Sequence, residues 1–122
     1  MRDREQRRIV CVLHSPSNQK SLPLSLESAR YKVVSGLTAD QAVAFCMNNI
    51  VAAVVLDSEF ISEEELSVVE TFKSLCPKVL ILLFSKGRRP RTMPKYVDAI
   101  AHTTEIMLME LARLFDRSTG HP

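Results

Sequence analysis

Glycine is scarce in this chain: there are three in 122 residues, and they stand far apart. Neither a GxGxxG turn nor a Walker loop can be assembled from them, which disfavours nucleotide binding. Cysteine is almost as rare. The three present, Cys11, Cys46 and Cys76, are odd in number and lie inside apolar segments. That excludes a disulfide framework and points to small core residues in a reducing compartment. No stretch approaches the ~18 apolar residues of a membrane span. A charge excess is missing too: 16 basic residues face 14 acidic ones, for a net charge of +2. This balance does not by itself imply nucleic acid. The opening MRDREQRR has no apolar run behind its charges, so no signal peptide is predicted. A cytoplasmic protein without membrane attachment is the expectation.

What is present is a set of short apolar runs. The organising one is Val51–Asp57, VAAVVLD, with small and β-branched residues ending in one carboxylate. An uninterrupted run of this length suits a strand buried on both faces of a parallel sheet. Ligands of such sheets collect beyond the carboxyl ends of the strands, where Asp57 lies. The alternative is that Asp57 only begins a turn.

The remaining runs fall in order. Ile9–Leu13 is the first strand, and His14-Ser15-Pro16 is read as loop. A helix follows, with Leu22, Leu26 and Ala29 at helical spacing. Pro23 within it predicts either a start near Ser21 or a kink. Tyr31–Val34 is a short second strand. Thr38-Ala39-Asp40-Gln41 fits a capping box, with Ala42, Phe45, Cys46 and Asn49 on one face and Val43 beside it. After the third strand, Ser62-Glu63-Glu64-Glu65 is a second capping box. Its helix has the stripe Leu66, Val69, Phe72 and stops at Cys76-Pro77. Lys78–Phe84 is the most apolar strand. Met93–Tyr96 is read as a short helix and Asp98–Ala101 as the last strand. Thr103 or Thr104 caps a final helix with the stripe Met107, Leu108, Leu111, Leu114 and Phe115.

Strand and helix thus alternate five times. The class is α/β, with helices on both faces of a parallel sheet. One domain over residues 9–116 is predicted, between a charged lead-in at 1–8 and a tail at 117–122.

Five such units, with an aspartate ending the third strand, resemble the receiver domain of bacterial response regulators. The resemblance rests on VAAVVLD, KVLILLFS and VDAIAHT and on their spacing. It implies a flavodoxin-like (βα)5 sheet of order 2-1-3-4-5, and it places Asp57 at the phosphoacceptor position. It also implies a pocket, and here the chain departs from the pattern. The two acidic metal-holding positions after the first strand are His14 and Ser15, which lack the anionic oxygens that Mg²⁺ favours. The hydroxyl after the fourth strand is kept as Ser85. The lysine after the fifth strand is replaced by Thr103, or by His102 if the register slips by one. Ile61 stands where a proline is usual. Glu59 is a doubtful second carboxylate, and Lys86 a candidate substitute cation. The expectation is a degenerate pocket with no catalytic residue, and with no cofactor or only weakly held Mg²⁺.

His14, Asp57 and His102 converge if the fold is right. An ordinary polar rim is preferred over a transition-metal site. The basic run Lys86, Arg88, Arg89, Arg91 could contact phosphate, an acidic protein surface or nucleic acid. It contains no aromatic platform for stacking bases, and a solvated loop is preferred.

The functional expectation is therefore a protein-interaction module of two-component (phosphorelay) signalling. Its partner would be a histidine kinase or an output protein, met through roughly Arg91–Phe115; a homodimer is left open. The alternatives are an active receiver phosphorylated on Asp57 and a nucleic-acid-binding module using Lys86–Arg91. Salt dependence and metal-dependent modification of Asp57 discriminate among the three.

Overall fold

The computed structural model describes residues 7–58, 63–87 and 93–118. Five strands form one parallel sheet in the order β2-β1-β3-β4-β5. They are β1 (Arg8–Val12), β2 (Lys32–Val34), β3 (Ala53–Asp57), β4 (Leu80–Phe84) and β5 (Ala99–Ala101). The helices among the described residues are α1 (Pro16–Ser28), α2 (Ala39–Asn48), α3 (Glu63–Leu75) and α4 (Thr104–Ser118). The flavodoxin-like class and strand order are those expected.

The strand sequences explain the order. In β3 all five residues are buried, and β1 and β4 carry four buried residues each. Such strands need neighbours and helices on both sides. β2 is short and more exposed, as an edge strand can be. Register places Val12 beside Leu56, and Asp57 beside Phe84. Alternation along β3 then sends side chains to opposite faces. Val54 and Leu56 join a core under α2 and α3, with Phe72 and Ile81. Ala53 and Val55 join the other, under α1 and α4, with Leu22, Leu26, Met107 and Leu111. All three cysteines are buried free thiols.

Local signals account for most helix ends. The Thr38 hydroxyl accepts Gln41 N–H while the Gln41 side chain accepts Thr38 N–H, the predicted capping box. Three glutamates occupy the first turn of α3, complementing its positive end; Ser62, the proposed cap, lies outside the described residues. Asn49, expected on the buried face of α2, is exposed, and its side chain donates to Phe45 O.

Two expectations are corrected. α1 does not start near Ser21: it starts at Pro16, so Pro16 is helical and Pro23 is interior. Proline suits the first helical position because its missing N–H is not needed there. Packing of Leu22 and Leu26 against the sheet outweighs the interior proline. Met93–Tyr96 is not a helix; Lys95 and Tyr96 form a turn, and Tyr96 adopts a left-handed φ of 73°. The (βα)5 alternation accordingly has no helix between β4 and β5 among the described residues of that connection. A polar clamp helps to fix β5. Asp98 Oδ2 accepts Ile81 N–H at 2.8 Å, and Asp98 N–H donates to Ile81 O. Lys73 of α3 pairs with the same oxygen at 2.9 Å and donates to Val79 O at 2.7 Å.

No helix among the described residues is long and apolar enough to cross a membrane.

Candidate functional site: a carboxylate held by a helix start

Asp57 ends β3 and is 2% exposed. A buried carboxylate must be paired or hydrogen-bonded. The connection from β1 to α1 supplies the partners. His14 N–H donates to Asp57 Oδ1 at 2.7 Å, and Ser15 N–H donates to Oδ2 at 3.0 Å. The Asn18 side chain adds a third bond, Nδ2 to Oδ2 at 2.9 Å. Hydrogen bonds to an ionised acceptor are about twice as strong as neutral ones.

The sequence of α1 explains why this helix takes a carboxylate from another strand. Its N-cap, Ser15, makes no side-chain capping bond, and its first turn holds no acidic residue. The Ser15 hydroxyl meets that of Ser17 instead, at 3.1 Å. The positive helix end is therefore without a negative group of its own. Asp57 supplies one. Pro16 starts the helix immediately, which puts Asn18 in the first turn, turned inward and 8% exposed.

The other sequence-predicted residues are placed differently. His14 and Ser15 reach Asp57 through backbone N–H groups. Ser85 is buried; its N–H donates to Ala101 O, and its hydroxyl accepts Gly87 N–H at 3.3 Å. Thr103 is the cap of α4, its hydroxyl accepting Ile106 N–H at 3.1 Å. It does not line the cavity above Asp57, and neither does the exposed His102. Thus His14 and Asp57 come together, and His102 stays apart. No group of three or more histidine, cysteine, aspartate or glutamate side chains suited to a metal occurs among the described residues. Lys86 is exposed and lines the cavity. Glu59, Ile61, Arg88, Arg89 and Arg91 lie outside the described residues.

Asn18 was not singled out from the sequence. The available signal was Ser15-Pro16, a helix start that fixes a polar residue in the first turn next to the expected site.

The cavity above Asp57 has a volume of about 520 Å³. His14, Ser15, Pro16 and Asn18 form one side, Ser58 and Glu65 another, with Phe84 and Lys86 opposite. Divalent cations in such a place require hard oxygen ligands, carboxylates above all. The groups closest to Asp57 are instead N–H donors, which take up three of the positions from which its carboxylate accepts. This donor set does not fit Mg²⁺. Beneath the site lies Cys11, whose thiol is pushed up to about 12 by burial and, secondarily, by the Asp57 charge.

No family model matches the chain, and no curated protein matches it. Solved structures do. A response regulator receiver domain protein from Methanospirillum hungatei superposes with a TM-score of 0.78 at 18% identity, covering 93% of this chain and 96% of that one. A response regulator from Thermotoga maritima gives 0.78 at 13% identity, over 92% and 99%. The T. maritima response regulator TrrA, solved in complex with Mg²⁺ and beryllofluoride, gives 0.75 at 17% identity, over 89% and 99%. With the strand order and the position of Asp57, these likenesses show that the chain has the fold of response-regulator receiver domains.

Proposed function

We propose that this chain is a receiver-like protein-interaction module of two-component signalling, in which Asp57 anchors a loop and does not accept a phosphoryl group. One observation carries the reading: the Asp57 carboxylate is engaged by His14 N–H, Ser15 N–H and the Asn18 amide. Phosphoryl transfer to a carboxylate needs a free oxygen, a cation to offset charge and a counter-charge for the phosphoryl group. Here two of the donors are backbone and cannot rotate away without moving the start of α1. The residue at the counter-charge position, Thr103, is committed to capping α4.

Output from such a module is contact with another protein, a histidine kinase or an output protein, in the cytoplasm. The module has no catalytic residue and no resident cofactor. The expected contact surface, roughly Arg91–Phe115, includes exposed Met93, Tyr96 and Met109. Exposed apolar side chains of this kind suit protein contacts more than they suit phosphate.

The reading is tested by NMR titration of the ¹⁵N-labelled chain with Mg²⁺ and then beryllofluoride. The His14, Ser15 and Asn18 amide signals are expected to stay in place. Saturable shifts at these amides, dependent on both additives, overturn the reading in favour of an active receiver.

A further inference from the structure

Cys46 and Cys76 belong to the core on the α2 and α3 face of the sheet, and Cys11 belongs to the core on the opposite face. The sheet therefore separates Cys11 from the other two. Cys46 sits in the last turn of α2, and Cys76 follows the last residue of α3. These helices pack side by side, and their carboxyl ends bring the two thiols into hydrogen-bond contact. Both are free thiols, and each residue is 7% exposed, whereas Cys11 is 0% exposed. Cys76 N–H donates to Phe72 O at 2.7 Å, and Cys76 O accepts Val79 N–H at 3.0 Å. Cys76 thus stands where α3 gives way to the turn into β4. Closing a sulfur–sulfur bond here asks for an adjustment of a turn and not of a helix interior.

We propose that Cys46 and Cys76 form a reversible intramolecular disulfide when the chain meets an oxidised small-molecule disulfide, tying α2 to the end of α3. The site is on the opposite face of the sheet from Cys11 and is independent of the role of Asp57. Burial is the main cause that raises both thiols above 9.0. Beyond burial, their contact acts in opposite directions: the Cys76 charge and hydrogen bond raise Cys46 further, whereas the bond lowers Cys76. Cys46 is therefore the S–H donor and Cys76 the acceptor, and Cys76 loses its proton first. The thiolate is the nucleophile, so the order of attack follows. The Cys76 thiolate attacks one sulfur of the small disulfide, whose S–S bond breaks, and the first thiol leaves. Cys46 then gives up its proton and attacks Cys76 Sγ, expelling the second thiol. Two electrons pass from the protein dithiol to the small disulfide, and the two protons end on the two departing thiols. Burial keeps both thiols largely protonated at neutral pH, so exchange is slow and proximity selects the pair. The new bond closes the chain from Cys46 to Cys76, a segment that contains all of β3.

The test uses the full chain, reduced and freed of reductant, then equilibrated without denaturant in glutathione buffers of rising oxidised share. After an acid quench, free thiols are alkylated in denaturant and the cysteine-containing peptides are mapped by mass. Cys46 and Cys76 should lose alkylation together and appear as one linked peptide pair, with Cys11 alkylated throughout; added reductant should restore both. Cys46→Ser should accumulate more glutathione adduct than Cys76→Ser, because it keeps the attacking thiol and lacks the resolving one. Cys46 and Cys76 staying unlinked at every share, a bond to Cys11, or a bond only between two chains overturns the proposal. Linkage that forms only once urea has unfolded the chain overturns it as well. The opposite ranking of the two serine variants overturns the order of attack.

Discussion

Two aspartates stand at strand ends in this molecule, and they are held in opposite ways. Asp57, at the carboxyl end of β3, is 2% exposed and is satisfied by three neutral N–H donors from one helix start. Asp98, just before β5, has a side chain 28% exposed and combines one backbone donor with the ammonium of Lys73. The difference follows from where each charge sits. Near the surface, a lysine can meet a carboxylate without being fully dehydrated. In the interior, an ion pair must offset two desolvation costs, whereas backbone amides at a helix start are dipoles already in place. Asp57 is thereby built into the fold more deeply than Asp98.

The comparison breaks most visibly at Asp57. Asp57→Ala removes the acceptor for three donors at once and should lower stability by ~3 kcal/mol. Urea denaturation at unchanged m value would measure it, and the first turn of α1 should lose amide protection from hydrogen exchange. Asn18→Ala removes one of the three bonds and should cost about 1–2 kcal/mol by the same measurement. At the other aspartate, Lys73→Met breaks the ion pair but leaves the Ile81 N–H bond. That change should cost no more than about 1 kcal/mol, and the wild-type advantage should shrink with added salt. A cost for Lys73→Met exceeding that for Asp57→Ala would reverse the ranking of the two sites.

Cysteine titration sharpens the contrast further. Burial raises the thiol pKa of both Cys11 and Cys46 from 9.0 to about 12. Their secondary causes differ: for Cys11 it is the Asp57 charge, and for Cys46 it is Cys76. A thiol with a raised folded pKa keeps its proton longer in the folded state than in the unfolded one. The associated stability is present below about pH 9 and is lost as pH rises from 9 toward 12. Thiol-reactive dyes should therefore label native Cys11 and Cys46 slowly at neutral pH. Asp57→Asn should move the Cys11 titration downward and leave that of Cys46 in place.

How far the sequence could be read depended on whether information lay in side-chain identity or in backbone. The sheet was legible because VAAVVLD and KVLILLF are apolar runs that only a doubly covered parallel strand buries. The α2 start was legible because Thr38 and Gln41 cap it with their side chains. The α1 start was not: Pro23 allows either a late start or a kink, while Leu22 and Leu26 packing carries the helix through it from Pro16. The turn at Lys95–Tyr96 reads as a helix from sequence because a short run with no apolar period constrains little. At the site, the position of Asp57 was legible and its partners were not. His14 and Ser15 act through amides that every residue except proline possesses, so their side chains gave no signal. Thr103 reads in the sequence both as a helix cap and as the residue at the lysine position; its hydroxyl accepts Ile106 N–H and caps α4.

The central claim is that Asp57 is an anchor. Its most direct test is incubation of the purified chain with Mg²⁺ and a small phosphodonor such as acetyl phosphate, followed by intact-mass measurement over minutes. The account predicts no phosphoryl adduct, either in the wild type or in Asp57→Asn. An Mg²⁺-dependent adduct on the wild type that Asp57→Asn abolishes would contradict it.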